Sequence, residues 1–139
     1  MVTRADKFTQ SAQQEIFSDF LNSFGVHPIT GALGKTTNAN AVKQSIRNLI
    51  FTNYGERFFQ PQVGGDVYRS LFEPITSLTS KNIVDSITKT INYNEPRAKL
   101  LGVNVYNGTD ENTVVVLVVF SLINNSTPIS LDVTLTRVR

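Results

Sequence analysis

Two hydrophobic periods run along this chain, one helical and one alternating, and the place where they change organises it. Val42, Ile46, Leu49 and Ile50 recur at the spacing that puts them on one face of a helix. Asn40 stands before them as an N-cap whose side chain can accept from the first free backbone donors, and the pattern ends near Asn53. Gly55-Glu56-Arg57-Phe58-Phe59-Gln60-Pro61 predicts a turn followed by an extended stretch, and Gly64-Gly65 breaks the chain again. Val67, Tyr68, Leu71 and Phe72 predict one short helix, stopped by Pro74. Thr79 or Ser80 caps a third helix in which Ile83, Val84, Ile87 and Ile91 share a face.

Beyond residue 100 the period shortens to two. Leu101, Val103 and Val105 alternate with polar or small residues, as in a half-buried strand. Asn107-Gly108 opens a loop to Val114. The run from Val114 to Phe120 is β-branched almost throughout and predicts a central strand covered on both faces. Asn124 to Pro128 turns the chain, after which Ile129, Leu131, Val133 and Leu135 alternate with Ser130, Asp132, Thr134 and Thr136. The fold expected is α+β, with two to three helices packed on a small, mostly antiparallel sheet of three or four strands.

Residues 1–39 lack a sustained pattern and are rich in Gln, Ser, Thr, Asn and Gly. They are expected to form an extended N-terminal arm, leaving 40–139 as a single α+β domain. Phe17, Phe20, Leu21 and Phe24, with Ile16, are the arm's anchors; their spacing suits an amphipathic helix or the lining of an extended segment. Their rings need burial, either on the domain's own core or in a neighbouring subunit.

Composition narrows the chemistry. The chain has 139 residues, 40% of them apolar and only 17% charged, with a net charge of +2. The bases are scattered, with no run longer than Arg137-Val138-Arg139, which is no footprint for nucleic acid. Without cysteine there are no disulfides or thiolate metal sites, as suits assembly in a cytoplasm. The start has no signal-peptide core, and the longest apolar run, Val114 to Phe120, is too short to span a bilayer. The sequons at Asn107, Asn124 and Asn125 are read as chance in Asn-rich loops.

No constellation selects a reaction. Gly31-Ala32-Leu33-Gly34-Lys35-Thr36 has two residues between its glycines where a phosphate loop needs four, and it reads as a flexible turn. His27, the single histidine, is an ordinary loop residue. Glu56, Asp66, Glu73 and Glu95 are the carboxylates near turns, but nothing pairs them as a glycosidase requires, and there is no Trp for a glycan platform. No catalytic, metal or cofactor site is expected, and no cofactor.

Glu95-Pro96-Arg97 is more informative. Proline extends the backbone before it, so the carboxylate and the guanidinium two residues apart point to the same side. The corner is either a local ion pair or a rigid docking point of both signs, the Arg fork being suited to bidentate contacts.

The order of these features resembles the small baseplate wedge proteins of contractile-tailed, T-even-like phages, a family related to type VI secretion baseplate components. The motifs that carry the resemblance are Phe17-Ser18-Asp19-Phe20, His27-Pro28-Ile29-Thr30-Gly31, the stretch Ala41 to Ile50, Gly55 to Pro61, Leu71-Phe72-Glu73-Pro74 and Glu95-Pro96-Arg97. Phe58 stands where the family often has proline, and Leu21 where it often has an acidic residue. The resemblance implies a structural subunit of the virion's tail baseplate, assembled in the host cytoplasm, several copies to a hexameric baseplate. Glu95, Pro96 and Arg97 would dock on the helical core bundle of other wedge proteins. The strand bearing Ile129, Leu131, Val133, Leu135 and Arg137 would face the tail sheath protein and start its first ring. Neither nucleic acid nor membrane is implied as a partner. Some members have been described as lysozymes, so peptidoglycan hydrolysis is the competing expectation.

Overall fold

In a computed structural model, which describes residues 16–74, 76–108 and 112–137, the alternating C-terminal third becomes a three-stranded antiparallel sheet. Its strands are β3 (Ala98–Asn107), β4 (Thr113–Leu122) and β5 (Asn125–Thr136), in the order β3-β4-β5. Before them come β1 (Ser18–Phe20), β2 (Lys35–Thr37), α1 (Asn38–Phe51), α2 (Val67–Leu71) and α3 (Ser77–Asn94). The helices cover one face of the sheet, α3 against β3 and α1 nearer β5. The architecture is α+β, with helices on an antiparallel sheet, as the pattern predicts.

The core follows directly from the two periods. Val42, Ile46 and Ile50 from α1 and Ile83, Ile87 and Ile91 from α3 are buried. They share one cluster with Val114, Val116, Val118 and Phe120 of β4 and Val133 and Leu135 of β5. Each such side chain contributes on the order of 1.5–3 kcal/mol by leaving water.

Several boundaries move, each for a local reason. The N-cap of α1 is Thr37 rather than Asn40, because β2 runs directly into the helix. Asn38 stands at φ 48° at that junction, and its side-chain oxygen accepts from the Ile16 amide at 2.9 Å. The N-cap of α3 is Thr76, whose hydroxyl accepts from the Thr79 amide. Thr79 sits buried in the first turn, donating to the Pro74 carbonyl at 2.8 Å.

Residues 52–66 do not contain the expected extended stretch. They form consecutive turns, with Gly55 donating to the Pro61 carbonyl and Val63 to that of Gln60. Thr90 of α3 pins the loop by donating to the Gly64 carbonyl at 3.0 Å. Gly64 is at φ 124°, and a Cβ there would collide with the Thr52 carbonyl, so this turn requires glycine.

In the sheet, a register shift between Leu100 and Gly102 breaks the alternation of β3. Leu100, Val103 and Val105 pack toward the core, and Leu101 is exposed. β4 is central, but only one of its faces is fully buried; Val115, Leu117 and Val119 are half-buried on the other. Among the described residues, helices cover one side only, which leaves the second face partly open to solvent. The β4–β5 turn is tighter than expected: Ile123 and Asn124 alone connect Leu122 to its partner Asn125. Pro128 therefore lies inside β5, where an edge strand tolerates its missing donor.

Candidate functional site

The Glu95-Pro96-Arg97 corner sits at the junction of α3 and β3. Glu95 caps α3, its amide donating to the Ile91 carbonyl at 2.9 Å, and its carbonyl then accepts from Ala98 as β3 begins. The Arg97 carbonyl accepts from Ile123 in the β4–β5 turn, so both ends of the corner are held by backbone bonds.

The two side chains meet as their spacing predicts. Arg97 Nε donates to Glu95 Oε1 at 2.7 Å and Nη2 to Oε2 at 2.9 Å, a parallel fork. Glu95 is almost wholly buried, unlike an ordinary surface acid. Burial opposes its ionisation, yet the Arg97 hydrogen bonds, one from Ser45 and the Arg97 charge together hold its carboxyl below the usual value. The same fork, against the cost of burial and with help from Asp19, raises the Arg97 pKa.

The remaining edge of Arg97 reaches the N-terminal segment. Nη1 lies 3.1 Å from Asp19 Oδ2, and the Phe17 ring centroid is 5.7 Å from the guanidinium carbon. The anchors of the arm therefore divide. Phe17 packs against the chain's own core and Leu21 is half-buried close to Gly34, whereas Phe20 and Phe24 are exposed. Of the two conformations open to this segment, the extended one is observed: β1 pairs antiparallel with β2, Asp19 opposite Thr36. Amide side chains fasten the pair to α1. Gln44 donates to the Phe20 carbonyl at 2.7 Å, and Asn22 and Asn48 exchange hydrogen bonds at 2.8 and 3.0 Å. Residues 1–15 of the expected arm, and Val138 and Arg139, lie outside the described residues.

This hairpin also disposes of the apparent phosphate loop. Gly31 stands at φ 66° in a turn where His27 Nδ1 accepts from Ile29 and Thr30. Lys35 and Thr36 belong to β2, the paired return strand, and α1 begins only at Asn38. The segment is a paired hairpin.

Beside the corner lies an open groove of about 470 Å³ bounded by Asp19, Gln44, Ser45, Asn48, Arg57 and Tyr93. Tyr93 is exposed, and Phe58 and Phe59 on the neighbouring loop are 96% and 99% exposed. Sequence reasoning treated these two rings only as part of a turn motif; nothing in their spacing indicates that both point to solvent.

On the far side of the sheet, Val133 and Leu135 are buried and Ile129 and Leu131 are packed against the core, so these side chains do not face outward. From Ile129 on, the exposed residues of β5 are Ser130, Asp132, Thr134 and Thr136. Arg137 turns back on its own chain, donating to the Phe72 carbonyl at 3.2 Å and lying over the Phe72 ring. Beyond these side chains, β5 presents its main chain. It is the last strand of its sheet, and no strand pairs with its outer edge among the described residues.

Glu56 is held below its usual pKa by hydrogen bonds from Asn53, and Glu95 by the balance described above. A general acid for glycoside cleavage needs the opposite shift. No group of three or more His, Cys, Asp or Glu that could hold a metal ion occurs among the described residues.

The profile of one family, described as baseplate wedge protein gp25, matches residues 36–127. The chain is 33% identical over 93 residues to the baseplate wedge protein gp25 of Enterobacteria phage T4, spanning 67% of this chain and 70% of that protein. A chain in the baseplate of the anti-feeding prophage is 26% identical, with a TM-score of 0.61, covering 86% of this chain and 85% of that one. A Geobacter sulfurreducens protein described as a candidate tail lysozyme shares the fold at 22% identity, with a TM-score of 0.65 over 70% of this chain and 89% of that one.

Proposed function

The chain belongs to the family of baseplate wedge protein gp25, and from that premise we propose that it is the subunit on which a contractile tail begins its sheath. It is a baseplate wedge protein of a contractile-tail system. In the finer reading, Glu95, Pro96 and Arg97 dock on the helical core bundle of the other wedge proteins, and β5 offers its edge to the first sheath ring.

The observation that carries this reading is the outer edge of β5, with no strand paired to it among the described residues, in a sheet whose opposite end is anchored by a locked corner. An open edge supplies unpaired backbone donors and acceptors to which a neighbour's strand adds. Main-chain pairing is compatible with inward-facing Ile129, Leu131, Val133 and Leu135, because augmentation does not need their side chains. The corner supports docking as a preorganised unit. Glu95 fixes the plane of Arg97, whose side chain remains 26% exposed, and its remaining edge, now meeting Asp19, suits a partner carboxylate.

Deleting Ile129 to Arg139 is a poor test, because it also removes Val133 and Leu135 from the core. The better variant is Ser130→Lys with Thr134→Lys, two exposed positions of β5 where added charge guards an edge. Tails assembled with this variant are expected to contain the subunit in their baseplates but to lack sheath by electron microscopy. Full-length sheaths on a correctly folded variant overturn the sheath reading. Normal incorporation of Arg97→Lys, which keeps the charge and loses the fork, overturns the docking reading.

The lysozyme reading has one point in its favour, the fold shared with the Geobacter protein. The lowered pKa of Glu56 and Glu95 weighs against it, and unchanged peptidoglycan turbidity with purified protein is the expected result.

A further inference from the structure

The edge of β5 is bordered by a groove whose lining has a sign. Leu131 of β5, Leu21 and Thr36 of the hairpin, and Asn40, Lys43 and Arg47 of α1 bound an open space of about 520 Å³. No carboxylate lines it. Lys43 and Arg47 are four residues apart, hence on the same side of α1, and neither forms an ion pair among the described residues. On the opposite face of β5 the exposed charge is Asp132.

A strand added outside β5 lies about 4.8 Å further out, and alternate side chains enter this groove. We propose that the segment received by β5 carries acidic side chains at the positions that face α1, where Lys43 and Arg47 meet them, with an apolar residue against Leu21 and Leu131. The inference rests on the edge reading above and adds the chemistry of the partner. Its physical basis is register. A slip of one residue exchanges the two faces of an added strand, bringing its acids to Asp132 instead of the two cations. Opposite signs on the two faces of β5 thus specify which way the guest strand sits, which main-chain bonds alone do not.

The test uses the full chain and two ten-residue probe peptides of alternating valine and threonine. One carries two glutamates on the same face; the other has glutamines in their place. Affinity is read by fluorescence anisotropy and location by hydrogen exchange at the β5 amides. The glutamate peptide is expected to bind about fivefold more tightly at low salt, as two exposed ion pairs allow, and to protect β5. The preference is expected to vanish in Lys43→Gln/Arg47→Gln, whose affinity for the glutamine peptide stays unchanged, and to fade at high ionic strength. Equal affinity for the two peptides, with β5 protected by both, overturns the acidic-partner inference and leaves the edge reading standing. Absence of β5 protection by either peptide overturns both. Occupation of the edge by a second copy of the chain, seen as a dimer by sedimentation with β5 protected and no peptide bound, also overturns the inference.

Discussion

Arg97 Nη1 and Asp19 Oδ2 lie 3.1 Å apart although 78 positions separate the two residues. This contact ties the N-terminal hairpin to the corner between α3 and β3. It adds to the Phe17 ring beside the same guanidinium and to the amide side chains that fasten β1 to α1. Asp19 is partly exposed and Arg97 less so, whereas Glu95 is almost completely buried. The two halves of the Arg97 network therefore differ in weight.

Removing the outer partner is expected to cost little. Asp19→Asn should lower stability by about 0–1 kcal/mol, as for other solvent-screened pairs. Its local effect is larger, with faster hydrogen exchange at Lys35 to Thr37 while the sheet amides are unchanged. Arg97→Met leaves Glu95 buried without its counter-charge and should cost about 3 kcal/mol in urea unfolding. Equal costs for the two variants would show that burial does not set the difference.

Acid should act through Glu95. Its folded pKa lies below the ordinary value of 4.5, so its contribution to stability is complete above that value. The contribution is withdrawn as pH falls from there through the lower folded value. Unfolding midpoints measured from pH 7 to pH 3 should fall more steeply below 4.5 in the wild type than in Glu95→Gln. The variant starts lower at neutral pH because it has lost the charge that Arg97 needs.

Three phenylalanines separate burial from composition. Phe120 is wholly buried on β4, and Phe120→Ala should cost about 3–5 kcal/mol. Phe58→Ala and Phe59→Ala, at the exposed loop, should each change stability by less than about 0.5 kcal/mol. Chemical denaturation of the three variants under one condition checks the contrast.

Gly64→Ala combines left-handed backbone strain with a collision against the Thr52 carbonyl. A loss of about 2–4 kcal/mol is expected, with faster exchange at Gly65, whose amide donates to that same carbonyl at 2.9 Å. Gly55→Ala, also at positive φ but facing open space, should cost about 1 kcal/mol, so thermal melts of the pair separate strain from collision.

Much of the fold was legible because burial repeats with a period. Val42, Ile46 and Ile50, then Ile83, Ile87 and Ile91, mark their helices, and the alternation from Ile129 to Leu135 marks β5 with the correct inward face. The Glu95–Arg97 pairing was legible as well, since it depends on two residues and the proline between them. The caps were displaced because Asn40 and Thr79 have suitable side chains, yet the strand β2 and the Pro74 carbonyl fix where each helix begins. Leu101 was misassigned because a bulge reverses the facing of a strand without altering its composition.

The fold class, the inward faces of α1, α3 and β5 and the local geometry of the charged corner are written in the chain, because each depends on neighbours a few positions apart. Packing alone brings Asp19 to Arg97, leaves Phe58 and Phe59 in solvent, and sets Lys43 and Arg47 in one groove with Leu131 of β5. These relationships join segments brought together by packing, and packing distance leaves no periodic trace along the chain.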